Sequence, residues 1–239
     1  MIKKIINPPE KKWEKINTRP NYSSHVVENT IIEIFESVRK SGDKALTKYA
    51  QKYEGVKLKK IIVKQEEIDN SKNFISKSLK DSIKIAKKNI EKFHISQKSK
   101  SDHIIIEKGV ECWQEKRPIE KVGLYIPGGS APLFSTILML AIPAKIAGCD
   151  EIIICTPPNP KGEIPPVILY TCYLCGISKI YKVGGAQAIA AMTFGTESIP
   201  GVYKIFGPGN QYVTSAKQYA TKFKISIDLP AGPSELLIY

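Results

Sequence analysis

The sequence predicts an α/β protein: a parallel sheet flanked by helices and preceded by a mainly helical segment. Three observations predict it. Beyond Val122, five short apolar runs alternate with helical stretches, the order that builds a parallel sheet with helices on both faces. The first of these units, Val122 to Cys155, is a strand, a loop, a helix and a strand of the length that a parallel crossover requires. Before Val122 the apolar residues recur at three- and four-residue steps instead, one core-facing stripe per helix.

In order, Val27, Ile31, Ile34, Phe35 and Val38 form the first helical stripe, and Ser41-Gly42-Asp43 breaks it. Leu46, Tyr49, Ala50 and Tyr53 continue a second helix to Gly55, and Ile61-Ile62-Val63 is a short strand candidate. Ile75, Leu79, Ile83, Ala86, Ile90 and Phe93 mark a long amphipathic helix. His103 to Ile119 reads as a strand pair turning at Lys108-Gly109. A buried strand at 122–126 and an apolar helix to about Ala147 open the alternating series, followed by a strand at 152–155. Helices near 166–174, 187–194 and 211–223 then separate strands near 179–183, 203–206 and 225–229.

Composition bounds the function. Of 239 residues, 42% are hydrophobic and 25% charged, which excludes disordered, fibrous and collagen-like chains. The longest aliphatic run, Ile137 to Ile142, is far short of the ~18 apolar residues of a membrane span. No apolar segment follows the first lysines, so the expectation is a cytoplasmic protein without a secretory signal. Five cysteines without framework spacing suit a reducing compartment. Cys172 and Cys175 form one C-x-x-C with no second pair to complete a structural zinc site. A redox pair is the sharper reading of them; two small buried residues on a helix is the plainer and preferred one.

A net charge of +13 raises a nucleic-acid reading, which the residue types weaken. Only Arg19, Arg39 and Arg117 are arginines, against 33 lysines, and base and phosphate recognition leans on the planar arginine fork. Residues 1–121 hold 28 basic and 17 acidic side chains, while 122–239 hold 8 and 6. The excess therefore belongs to solvated helix faces of the first half, and no nucleic-acid or membrane partner is expected.

Four loops follow strands, where open parallel sheets place their ligands: Pro127-Gly-Gly-Ser130, Gly184-Gly-Ala-Gln187, Gly207-Pro-Gly-Asn210 and Pro230-Ala-Gly-Pro-Ser234-Glu235. Glycines there admit close backbone approach, and the helix N-termini behind them favour anions. Gln187, Asn210 and Ser234 bring polar side chains to that rim, and Tyr125 ends the first strand with a phenol that can stack on or bond to a ligand. Neither G-x-G-x-x-G after the first strand nor a Walker lysine motif is present. His25, His94 and His103, all in the lysine-rich half, have no metal-ligand partner at helical spacing. Glu235 reads equally as a base or as a carboxylate bridging backbone groups. These features by themselves define a nucleotide- or anion-binding α/β domain.

The strings VGLYIPGGSAPLFSTILMLAIPAKIAGC, VGGAQAIAAMTFGTESIP, KIFGPGN and IDLPAGPSE, in this order, closely resemble histidinol dehydrogenase. The resemblance extends back through NIEKFH (89–94) and SVRKSGDKAL (37–46), and so covers essentially the whole chain. It implies a cytoplasmic homodimer, dependent on zinc and NAD, that oxidises L-histidinol through histidinal to L-histidine, passing two hydrides to two NAD molecules. Carried over by motif, Tyr125, Gln187 and Asn210 would contact NAD and Ser234 the substrate. It further implies that 1–121 is a helical segment beginning a split α/β domain. Residues 122–234 would be an inserted Rossmann-like NAD-binding domain, and 235–239 the start of the return to the first, incomplete domain.

The departure is in length. Family members are about twice as long, and their later half carries the zinc ligands and an adjacent Glu–His pair that acts as base. No catalytic or metal residue can therefore be assigned to this chain by motif, and His25, His94 and His103 do not match those positions. The expectation is no turnover by these 239 residues alone. The alternative is a residual nucleotide-binding module, inactive or complemented by a second polypeptide.

Overall fold

The alternating second half builds a five-stranded, wholly parallel sheet, which the helices of both halves cover on its two faces. The computed structural model describes residues 4–18, 25–58, 60–98, 103–129 and 131–230. Helices α1 (Trp13–Asn17), α2 (His25–Tyr49), α3 (Gln65–Asn70) and α4 (Lys77–Ser96) precede a hairpin of β1 (His103–Glu107) and β2 (Val110–Trp113). The alternating part is β3 (Lys121–Tyr125), α5 (Phe134–Ala147), β4 (Glu151–Thr156), α6 (Pro166–Leu174), β5 (Ile180–Lys182) and α7 (Gly185–Phe194), then β6 (Lys204–Phe206), α8 (Gln211–Ala220) and β7 (Ser226–Ile227). Every helix and strand expected beyond Val122 is present.

Strand order is β5-β4-β3-β6-β7. The chain winds outward from β3 through β4 to β5, then crosses back to lay β6 against the other side of β3. The order thus reverses between β3 and β6, the switch point at which open α/β sheets leave a crevice beyond their carboxyl ends. Side chains alternate between two cores: Ile153, Cys155, Tyr181 and Ile205 pack with α2, α7 and α8, while Val122, Leu124, Ile152, Ile154 and Ile180 pack with α4, α5 and α6. Because both faces are covered, the strands are apolar on successive residues.

The expected break at Ser41-Gly42-Asp43 is a kink inside α2, where Gly42 takes φ 48° and ψ −129°. The restarted helix is capped from across the molecule. The Asp43 N–H donates to Glu197 Oε2 at 2.8 Å, and Asp43 in turn accepts from the Ser198 hydroxyl and N–H. A Cβ on Gly42 would land on the Glu197 carboxylate. This exchange ties α2 to the loop after α7. Asp43→Ala leaves Ser198 without its acceptor and should lower stability by about 1–2 kcal/mol. Urea unfolding checks this, and a midpoint equal to the parent's would show the exchange to be inconsequential.

Three expectations change in detail. Ile61-Ile62-Val63 is not a strand but a single antiparallel bridge, Ile62 to Tyr181, because α3 begins two residues after Val63. The stripe of α4 is buried fully only at Ile83, and Phe93 remains 61% exposed. The β1–β2 hairpin turns at Lys108-Gly109 as expected, with Ile104, Ile105, Ile106 and Trp113 all exposed. Cys172 and Cys175 are buried at the end of α6. Burial pushes the Cys175 thiol up to about 11 and holds that of Cys172 well above the usual thiol range, the environment of inert rather than redox-active thiols. No described helix is long and apolar enough to cross a membrane.

Candidate functional site

Beyond the carboxyl ends of β3, β4 and β6 lies a cavity of about 810 Å³, walled by the Pro127–Gly129 loop, Pro157–Pro160 after β4 and the Pro208–Asn210 loop. A second cavity of about 440 Å³ adjoins it between α2, α7 and α8, lined by Thr30, Tyr53, Gln187 and Tyr212. Glu54, Gly185 and Asn210 line both, so the two form one cleft at the switch point.

The helix N-termini at this cleft are not equivalent. At α7 the Gly184 N–H donates to Glu54 Oε1 at 3.2 Å and the Gly185 N–H to the Tyr125 hydroxyl at 3.0 Å. At α8 the Asn210 side chain accepts from the N–H groups of Tyr212 and Val213, at 3.0 and 3.1 Å. At α6 prolines 165 and 166 remove two donors. Among the described residues only α5, which starts five residues after Gly129, begins with no side-chain cap and no such loss. An anionic group in the cleft is therefore drawn to the start of α5.

Of the residues picked from sequence, three meet here. Tyr125 is buried with its hydroxyl over Gly185, and burial pushes its phenol up to about 12, so it remains a neutral donor toward the cleft. Gln187 is buried in α7, folded back over Gly185, and lines only the smaller cavity. Asn210 has a structural task as the α8 cap and still faces both cavities. Ser234, Glu235 and Ser130 lie outside the described residues. His25, His94 and His103 stand away from the cleft, beside Glu28, Gln97 and Trp113 respectively. Among the described residues no three His, Cys, Asp or Glu side chains come together as a metal site.

One residue was missed. Glu54 ends a turn of π-helix (Ala50–Glu54) that prolongs α2, just before left-handed Gly55. One sequence signal pointed to it, since an acid at the C-terminal end of a helix opposes the macrodipole; the π turn, a feature that recurs at functional sites, is visible only in the fold. Burial pushes the Glu54 carboxyl up to about 7, against the opposing pull of the Gly184 N–H. Ionisation thus costs more in the folded chain than in the unfolded one. The contribution to stability is full below 4.5 and is lost as pH rises through about 7. Glu54→Gln should leave stability unchanged at pH 4 and raise it by roughly 1–2 kcal/mol at pH 8, discounting for the part that water reaches. Urea titrations at the two pH values measure this, and an equal gain at both would show another cause.

A deeper ion pair fixes the third loop. Lys217 is 2% exposed, and its Nζ donates to Gly207 O at 2.7 Å and to Asp228 Oδ1. Asp228 Oδ2 accepts the Gly207 N–H at 2.7 Å. The loop entering Asn210 is thereby held at both its carbonyl and its amide.

The sequence model described as histidinol dehydrogenase matches residues 17–239. The chain belongs to the histidinol dehydrogenase family. It is 52% identical over 236 residues to the histidinol dehydrogenase of Bacteroides thetaiotaomicron, covering 99% of this chain and 55% of that one. It is 47% identical over 231 residues to that of Escherichia coli O157:H7, covering 95% and 52%. The crystal structure of histidinol dehydrogenase from Elizabethkingia anophelis superimposes with a TM-score of 0.89 at 52% identity, over 96% of this chain and 53% of that one. The chain thus spans about half the length of the curated histidinol dehydrogenases it matches. By name these relatives are dehydrogenases of histidinol, that is, oxidoreductases.

Proposed function

We propose that the switch-point cleft binds NAD and serves the oxidation of L-histidinol through histidinal to L-histidine, in a cytoplasmic homodimer. The observation that carries the NAD reading is the start of α5. Among the described residues it is the helix N-terminus at the cleft without a side-chain cap or N1 proline, and it follows the glycine loop after the first strand of the sheet. Parallel nucleotide-binding sheets seat a pyrophosphate there. No lysine, arginine or histidine lines the cleft among the described residues, so backbone N–H groups and the helix dipole supply the attraction.

In this reading Tyr125 donates its phenolic hydrogen to the dinucleotide and holds the Gly185 backbone in place. Gln187 presents its amide from the smaller cavity, and Asn210 fixes the opposite rim by capping α8. When bound, NAD supplies the hydride acceptor. Ser234 belongs to the substrate side, and residues 122–234 form the NAD-binding domain, inserted in a split α/β domain begun by 1–121. Zinc, which the resemblance implies, finds no fitting donor set among the described residues.

The described lining of the cleft holds no histidine, and Glu54 is its only carboxylate. The 239 residues by themselves are thus proposed to bind the dinucleotide without turning over histidinol, as a nucleotide-binding module that other residues complete. Titrating NAD into the purified chain, with histidinol-dependent NADH formation followed in parallel, tests both statements. Saturable binding without turnover is expected. Absence of binding would sink the NAD reading, and turnover would sink the module reading.

A further inference from the structure

Glu54 stands in an electrostatically unfavourable place. It lies at the C-terminal end of a helical turn, where the dipole favours a cation. Among the described residues no cationic side chain bonds to it, and the one hydrogen bond it makes there is from the Gly184 N–H. Its second oxygen, Oε2, is buried without a hydrogen-bond partner. A buried carboxyl oxygen left unsatisfied is destabilising, which calls for a compensating role.

Its position suggests the role. Gly184 packs so tightly between its neighbours that a Cβ there would lie 2.5 Å from Pro157 Cβ and 2.6 Å from Glu54 Oε1. Glu54 is therefore held beside the carboxyl ends of both β4 and β5, facing the cleft from the helical first half. Parallel dinucleotide-binding sheets place an acid roughly 20 residues past the phosphate loop, near the end of the second strand, where it receives a ribose hydroxyl. Here that strand is β4, and it runs out into Thr156-Pro157-Pro158, which offers no acid.

We propose that Glu54, reaching across from the first half of the chain, supplies this missing carboxylate and accepts the hydroxyl hydrogens of a ribose in the bound dinucleotide. The proposal rests on the NAD reading above. The terminal torsion of a glutamate is soft, so a modest rotation presents Oε2 to a donor in the cleft. An unsatisfied oxygen then gains a charge-assisted hydrogen bond. The first half of the chain becomes part of the cofactor site rather than only a cover for the sheet.

Calorimetric titration of the 239-residue chain with NAD, and with deoxy analogues lacking a ribose hydroxyl on the adenosine or the nicotinamide side, tests this. The parent should prefer NAD over one deoxy analogue by about 10-fold or more. Glu54→Ala should abolish that preference, and Glu54→Gln, a neutral acceptor, should keep only part of it. The Gln variant is expected to be at least as stable as the parent, so weaker binding there does not reflect unfolding. Equal affinity of the parent for NAD and both analogues, or a preference unchanged in Glu54→Ala, overturns the proposal and leaves the NAD reading standing. No NAD binding by the parent overturns both.

Discussion

Gly207→Ala is expected to lower the melting temperature by on the order of 10 °C and, with the switch-point cleft as the proposed NAD site, to weaken NAD binding by about 10-fold or more. Gly207 joins β6 to the Pro208–Asn210 loop at φ 135°, and a Cβ there would land on the carbonyl oxygen of Tyr125, with the Tyr125 carbonyl carbon 3.0 Å away. Neither side can yield cheaply. Leu124 pairs with Phe206 in the parallel ladder, so moving Tyr125 away pulls β3 off β6 at the switch point. Backbone strain of about 1–3 kcal/mol combines with a similar overpacking cost. For a chain of this size each kcal/mol shifts the midpoint by about 2–4 °C. The binding loss follows because Tyr125, at one end of the disturbed contact, and Pro208, next to Gly207 at the other, both line the cleft. Differential scanning calorimetry alongside an NAD titration measures both effects. A midpoint within about 2 °C of the parent's would mean that the close approach at Gly207 does not constrain the fold.

Lys217→Met should cost roughly 3 kcal/mol, mostly by stranding its partners. The Asp228 carboxylate loses its cation and the Gly207 carbonyl loses its donor, in a site where Lys217 is 2% exposed. Breaking a buried pair costs about 3–5 kcal/mol, and the low end applies because the Asp228 side chain keeps 26% of its exposure. Lys217→Met combined with Asp228→Asn should be more stable than Lys217→Met alone, since an amide can still accept the Gly207 N–H without carrying an unpaired charge. Urea unfolding of the two variants settles it: a double variant less stable than the single one would show that charge burial is not the source of the loss.

Much of the sheet half could be read directly because its signals are local. Each run such as Val122–Ile126 or Ile152–Cys155 is bounded by its own Gly or Pro loop, and each is long enough to cross the sheet once. The loops that carry Tyr125, Gln187 and Asn210 were legible for the same reason, since strand ends in a parallel sheet lie on one edge whatever the strand order. The Ile61–Val63 run misled because β propensity is settled by pairing, and its pairing with β5 stops at a single bridge, Ile62 to Tyr181, closed by the Val63 N–H to Ile180 O and the Lys182 N–H to Ile61 O. The exposed Phe93 and the exposed hairpin show the same limit: a stripe gives a face and does not name what it faces.

By itself, then, the sequence determined the α/β class, the order of elements beyond Val122, the loops that meet at the sheet edge, and the family. Each of these depends on residues near one another along the chain or on strings long enough to be specific. Tertiary structure alone decided the strand order that opens the crevice between β3 and β6, and the uncapped start of α5 as its anion-attracting corner. It also decided the Lys217–Asp228 pair under Gly207, the Asp43–Glu197–Ser198 exchange, and the arrival of Glu54 beside Gly184. The last two bridge 154 and 130 residues of sequence respectively. No periodicity or motif reports such contacts, because the energy that holds them comes from burial in a site that exists only after the chain has folded.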